Sequence, residues 1–408
     1  MADASKRVLV ALSGGISSAV AAALLKTQGY DVVGAHLLVW PEKISQGPNG
    51  TRIEALENTG RCCRFADLKA LRQMCEKMGI PLHVIDISDR FHGEVVDAMV
   101  HDYLLVRSPN SCVRCHSYLK FDPLLELADR LTCQQVVTGH SAKVVKNHQD
   151  GQFYVYKGAD EEADQSYFLF GLNQKTLSRL SMPLGDLLAN NIEKLARNFD
   201  IPPEILSSGP GMPQKHQEIC FTRGSLYKTI IDTAVTTRFK HPGPVVDQKA
   251  FILGRHEGLF QYKIGQNGES LHLIGLPQPK DRAEKYIAGF DMKLNAVILG
   301  EKTDCLKKGV SAIKTNWIGA LDFSRDILCK AKTHHQMEEV NCRVTMMNLD
   351  SVIVEFEEAQ WALQAGQAIV FYQGTQVLGG GWVEALTEPV TTTARSVKDL
   401  RSDAPPKP

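Results

Sequence analysis

The chain has 408 residues, 43% hydrophobic and 23% charged, and its 46 basic and 46 acidic side chains leave a formal net charge of zero. That balance excludes a fibrous or disordered protein and a generally basic nucleic-acid coat, though not a local basic groove. No apolar run reaches the roughly 18 residues of a membrane span and "MADASKRVLVALSGG" has no secretory leader, so a cytoplasmic protein with no membrane partner is expected.

In chain order, "RVLVAL" (7–12) is a short apolar run suited to a buried parallel strand. A Gly-Gly turn follows, and the Ala/Leu-rich stretch to Lys26 predicts a helix stopped at Gly29. Further strands are expected at 30–40, 80–87 and 134–140. Between them, Leu68, Leu71, Cys75 and Met78 recur at helical spacing within 65–79. Alternating strands and helices predict an α/β fold with an N-terminal doubly wound parallel sheet. Ligands bind such sheets beyond the carboxyl ends of the strands, where the Ser-Gly-Gly turn, Trp40 and Thr138-Gly139-His140 all fall. Segment 41–61 reads as a long polar loop beside that site. From about residue 240, "VNCRVTMM", "SVIVEFEEA", "QAIVFYQG" and "TQVLGGGWVEAL" are short strands between turns, which predicts a small β-barrel. The polar, Pro-rich end reads as a disordered tail.

Two stretches carry chemistry. "ALSGGISS" (11–18) joins a strand to a helix, so glycines and free N–H groups at the helix start can cradle a phosphate, with Ser13, Ser17 and Ser18 as added donors. It lacks the Gly-Lys-Ser/Thr of a Walker loop, and a bare tight turn is an equal reading of it. "SPNSCVRCHSYLKF" (108–121) sets Cys112 and Cys115 three apart, which suits a metal, redox work or a disulfide. Ten cysteines in a reducing compartment favour thiols, ligands or catalysts over a disulfide framework. Cys62 and Cys63 are adjacent and read as loop residues. Cys75 reads as core, and Cys133, Cys305, Cys329 and Cys342 show no ligand spacing.

The "SGGxxS" loop resembles the PP-loop of ATP pyrophosphatases, which adenylate a carbonyl oxygen and release pyrophosphate. The stretches "SPNSCVRCHSYLKF", "VVTGHSAKV", "DQSYFLFGL", "MPLGDL", "EICF", "GRHEGLFQYKIGQ" and "AGQAIVFYQGTQVLGGG" follow in the order of the tRNA-specific 2-thiouridylase family, of the MnmA/TrmU type, over roughly 7–385. That resemblance implies an adenine nucleotide alpha hydrolase-like catalytic domain at 5–225, a small central domain at 226–286, a tRNA-contacting β-barrel at 287–388 and a tail at 389–408. It implies ATP and Mg²⁺, adenylation of the wobble uridine C2 oxygen in a tRNA anticodon stem-loop, and sulfur from a cysteine desulfurase or sulfur-relay protein.

Position by position, the resemblance makes Cys115 the nucleophile and Cys220 the persulfide carrier, with a transient Cys115–Cys220 disulfide. Ala11, Leu12, Ser13, Gly14, Gly15, Ile16, Ser17, Ser18, Leu37 and Gly139 would meet ATP. Asn110, Ser111, Cys112, His140, Ala163, Asp164, Gln165, Arg343, Val344 and Gln367 would meet tRNA. Lys120 could hold phosphate or lower a thiol pKa. The chain also departs from the family pattern. Ser17 stands where the loop has an Asp, a common Mg²⁺ partner. Asn110-Ser111-Cys112 replaces Asn-Pro-Asp, Ala163 replaces a Lys, Asn267-Gly268 replaces Arg-Lys, and "HQEIC" replaces a small-residue approach to Cys220. Three readings therefore stay open: a Cys115/Cys220 persulfide enzyme, a thiolase holding a [4Fe-4S] cluster on Cys112, Cys115 and Cys220, and an impaired RNA-binding paralogue. A different adenylating PP-loop ligase is the rival enzyme.

Overall fold

A computed structural model describes residues 6–39, 68–206, 241–268 and 284–387. Trp40, the 41–61 loop, Cys62, Cys63, Cys220 and the tail lie outside these. The strands of the first half are β1 (Arg7–Ala11), β2 (Asp31–Leu38), β3 (Leu82–Asp86), β4 (Gln135–Val137), β5 (Ala142–Lys146), β6 (Phe153–Lys157) and β7 (Leu180–Ser181). A parallel sheet runs β3-β2-β1-β4-β7, the doubly wound sheet that the strand–helix alternation predicts. As a strand β4 ends at Val137; the Thr138 N–H still donates to the Ser181 carbonyl of β7 at 3.0 Å, and Gly139 and His140 follow beyond the strand.

Strand periodicity sorts the core into two layers. On one face Val8, Val10, Val32 and Val137 pack with helix α1 (Ile16–Thr27) and helix α2 (Leu68–Met78). On the other, Leu9, Val33, Leu37 and Val136 pack with Val113, Cys115 and Leu119 of the CxxC segment. The two candidate motifs thus cover opposite faces of one sheet. Helix α1 buries Ala19, Ala21, Ala22 and Ala23 as well as its larger residues, because small side chains let it lie close to both the sheet and the helix Ala189–Asn198. It is followed by Gly29, at φ +83°, as predicted. In α2, Leu68, Leu71, Met74 and Cys75 are buried, and burial pushes the Cys75 thiol up to about 11, which suits a core residue.

The central sheet contains β8 (Gly243–Val246), β9 (Ile252–His256), β10 (Tyr286–Asp291) and β11 (Ala296–Gly300), in the order β10-β11-β8-β9. It crosses the expected boundary at 286/287. The parallel pairing of β11 with β8 binds residues up to Gly300 to the central unit, and the barrel starts after that. The barrel strands are β12 (Leu306–Trp317), β13 (Ile327–Lys332), β14 (Val340–Asn348), β15 (Ser351–Trp361), β16 (Ala368–Gln373) and β17 (Gln376–Thr387). They run β12-β15-β14-β13-β16-β17, and β12 pairs again with β17 to close a six-stranded barrel. The hairpin β5–β6 extends this sheet through β6 and β17, so the first domain donates two strands to the barrel's edge. Among the described residues no helix is long and apolar enough to cross a membrane.

A largely buried ion cluster secures that joint. Lys157 of β6 pairs with Glu339, Lys332 of β13 lies 3.9 Å from the same carboxylate, and both ammonium groups sit over the Tyr372 ring at 5.0 and 5.7 Å. Nearby, His335 packs on Phe168 and Tyr167 at ring distances of 5.3 and 6.4 Å. Burial first, then His334 and Lys332, lower its pKa from 6.5 to about 4. Glu339→Gln leaves two buried lysines without their anion and is expected to cost about 3–5 kcal/mol in urea unfolding. Because the folded pKa of His335 lies below its unfolded value, its contribution is present above pH 6.5 and lost as pH falls toward about 4. His335→Gln should flatten the pH dependence of stability in that window, read from urea midpoints.

Candidate active site

The loop after β1 turns on Gly14, at φ +85°, a conformation that costs a side-chain-bearing residue more than glycine. Gly15 caps α1 with an extended backbone and no side-chain partner, and no acidic residue stands in the first turn. The helix start therefore keeps its positive character toward an anion. The serines divide their work. The Ser18 hydroxyl donates to the Gly15 carbonyl at 2.8 Å and accepts from the Ser13 N–H at 3.2 Å, which closes the loop. Ser13 and Ser17 remain half-exposed, whereas Ser18 is buried.

Gly139 presses directly on this loop. A Cβ there would lie 2.6 Å from both the Ser17 carbonyl carbon and the Ser18 nitrogen, nearer than packed atoms come. Its glycine is a contact requirement, beyond its place at a strand end. The next residue, His140, meets the CxxC segment: its Nε2 is 3.0 Å from His116 Nε2, and its Nδ1 is 2.8 Å from Thr138 Oγ1. His116 donates from Nδ1 to the Cys112 carbonyl at 2.7 Å, which leaves Nε2 as the acceptor for His140 and for Lys120 Nζ at 3.3 Å. A continuous run of contacts thus joins Ser17 and Ser18, through Gly139, His140 and His116, to the turn carrying Cys115.

That turn is held at both ends. The Asn110 side chain accepts the Val113 N–H at 3.3 Å, capping the helix Ser111–Arg114. Its amide donates to the Tyr167 hydroxyl at 3.2 Å, and that buried hydroxyl donates to the Ala368 carbonyl of β16 at 2.8 Å. Arg114 reaches Asp102 at 3.7 Å and lies 5.1 Å above the Trp382 ring of β17. Cys115–Leu119 then forms one π-helical turn, closed by the Lys120 N–H to the Cys115 carbonyl at 3.0 Å, a wider turn than the α-helix allows. Cys115 is 5% exposed, and Cys112 is half-buried.

The remaining assignments divide. Leu37 is buried on the Cys115 face of the sheet. Ser111 is buried. The Asp164 carboxylate accepts the Gly158 and Ser166 N–H groups and the Ser166 hydroxyl, so it shapes a turn, and burial raises its pKa. Gln165 exchanges hydrogen bonds with the Ser141 backbone, both at 2.9 Å, and pins the segment after His140; Ala163 beside them is half-buried. Arg343 is exposed, 3.6 Å from Asp326. Val344 has no exposed surface. Successive strand residues face opposite sides, so Arg343 outward puts Val344 into the barrel core. Gln367 is half-buried and accepts the Gln364 N–H at 3.0 Å.

For ATP the loop fits: glycine backbone, an acid-free helix start and a close-packed Gly139. For Mg²⁺ the described residues offer no matching donor set, since Ser17 brings no carboxylate and no group of three His, Cys, Asp or Glu side chains converges among them. Of the three candidate cluster ligands, Cys112 and Cys115 lie on one helical turn, and Cys220 is outside the described residues. His116 and Tyr167 were not singled out in the sequence. The Cys-His pair at 115–116 was the available signal for the first; the second had only its aromatic type.

The profile described as "tRNA methyl transferase HUP domain" matches residues 6–223, and "Aminomethyltransferase beta-barrel domain" matches 307–383. A tRNA-specific 2-thiouridylase MnmA from Geobacter metallireducens is 34% identical over 94% of this chain and 98% of its own length. One from Symbiobacterium thermophilum is 34% identical over 93% and 92%. The chain belongs to the MnmA family of tRNA-specific 2-thiouridylases. The second profile's range agrees with a barrel that begins after Gly300. In this family member, the loop, Gly139 and the CxxC turn are joined by direct contacts. Gly139→Ala is expected to cost about 1–3 kcal/mol by overpacking and to weaken ATP binding, read by thermal unfolding and by nucleotide titration of the same protein.

Proposed function

We propose that this MnmA-family chain is a tRNA sulfurtransferase that replaces the C2 oxygen of the wobble uridine by sulfur, at the expense of ATP, in two chemical stages. In the first, the uridine O2 attacks the α-phosphorus of ATP and pyrophosphate leaves. The α1 start and the glycine loop hold the phosphates, and Leu37 supplies apolar contact to the base. In the second, a persulfide on Cys220 attacks C2 and AMP leaves. The Cys115 thiolate then attacks the sulfur of Cys220, breaking the S–S bond so that 2-thiouridine departs and a Cys115–Cys220 disulfide remains. An external thiol reduces that disulfide, and a cysteine desulfurase or relay protein recharges Cys220.

The observation that supports this reading best is the contact run from the loop through Gly139, His140 and His116 to the Cys115 turn. Activation and sulfur transfer must act on one uridine carbon, and this run brings an ATP-type loop and a thiol to one end of the sheet. Lys120 and His140 meet at His116 Nε2, so a polar network stands on the same turn as Cys115. The tRNA anticodon stem-loop would meet His140 and, on the barrel, the outward Arg343. With Ala163 and Asn267-Gly268 standing where the family has cations, fewer phosphate contacts are expected and tRNA binding should depend less steeply on salt. A [4Fe-4S] thiolase would need Cys112 as well, and the Cys112–Cys115 spacing is what keeps that second reading open.

Nucleoside mass spectrometry tests the proposal. In cells lacking their own 2-thiouridylase, the wild-type chain should restore 2-thiouridine derivatives in bulk tRNA, whereas Cys115→Ser and Cys220→Ser should not. Cys112→Ser should retain activity if Cys115 and Cys220 are a persulfide pair. Its loss together with bound iron in the wild type would favour the cluster. A soluble wild type that binds tRNA but restores nothing would favour the impaired paralogue.

A further inference from the structure

Far from the loop, Cys329 of β13 and Cys342 of β14 are directly paired residues of antiparallel strands, with sulfurs 3.7 Å apart. Sequence spacing hides them, because thirteen positions and a turn separate the two. Directly opposed antiparallel residues have Cα atoms about 4.5–5.5 Å apart, within the roughly 4.4–6.8 Å that a disulfide spans. The sulfurs need only close from 3.7 Å to a bonded distance of about 2 Å, a side-chain motion. The two differ in access: Cys329 is half-buried, and Cys342 is 4% exposed inside the barrel. Both line a groove of mixed charge, with the cations Lys330 and Arg343 and the carboxylates Glu339, Glu355 and Glu357.

We propose that Cys329 and Cys342 are a thiol–disulfide modification site, separate from the catalytic thiol, whose substrate class is a low-molecular-weight disulfide of the glutathione type. The more accessible Cys329 thiolate attacks one sulfur of that disulfide, forming a mixed disulfide and releasing one thiol. Cys342 then attacks the Cys329 sulfur, expels the second thiol and leaves a cross-strand bond. Two protein thiols are oxidised, one small disulfide is reduced to two thiols, and two protons are conserved between them. The carboxylates of such a ligand would meet Lys330 and Arg343, and its ammonium groups would meet Glu355 and Glu357.

The test uses the full chain, oxidised glutathione and tryptic peptide mapping without reduction. Peptides 326–330 and 333–343 should become linked as the major form of both cysteines, and dithiothreitol should restore both thiols. The Cys115 peptide, 115–120, is separate, so a disulfide from the catalytic cycle is read independently. Cys342→Ala, checked for folding by circular dichroism, should accumulate a mixed glutathione disulfide on Cys329. Cys329→Ser should keep tRNA thiolation within about twofold of wild type, as for a substitution away from the site. A wild-type chain in which Cys342 stays alkylatable while Cys329 stays glutathionylated would overturn the proposal. So would a folded Cys342→Ala chain that takes up no glutathione at Cys329.

Discussion

The approach of Gly139 to the backbone of Ser17 and Ser18 is the constraint on which the site depends. With no side chain at 139, the end of β4 can lie against the start of α1. The residue that follows, His140, is then carried to His116 on the far face of the sheet. A doubly wound sheet separates the helices of its two faces, so contact between them can be made only around the strand ends. Here one glycine and two imidazoles make it.

The barrel is part of the same device. Tyr167 ties the cap of the CxxC turn to β16, Arg114 ties its last residue to β17, and the β5–β6 hairpin joins the barrel sheet outright. The barrel is thereby coupled through short contacts to the turn that carries Cys115. These tethers use aromatic, backbone and Arg114 contacts and involve none of Ala163, Asn267 and Gly268, where the sequence departs from the family pattern.

Much of the fold was legible because its signals are local. Alternating β-branched runs, the Ala-rich α1, Gly29 and the short strands after residue 300 each follow from propensity and period. The central unit's limit was not legible: the parallel β11–β8 pairing spans some fifty residues, and no local pattern announces which distant strand will be the partner. Among the candidate site residues, the loop and Cys115 were singled out from motif and resemblance. That the Val344 side chain lies in the barrel core was not legible, because a residue-by-residue correspondence does not say which way a strand side chain points. His116 went unremarked because its role comes from meeting His140, twenty-four residues away.

By itself the sequence determined the elements, the α/β-then-β order, the family and the thiols available for chemistry, since these are written in nearest-neighbour pattern and residue type. Only the tertiary structure decided which thiols and imidazoles face one another. The run from Ser17 to Cys115 and the Cys329–Cys342 pair are products of strand order and register, which set distances between residues far apart in the chain. Reactivity depends on those distances, and chain spacing leaves them open.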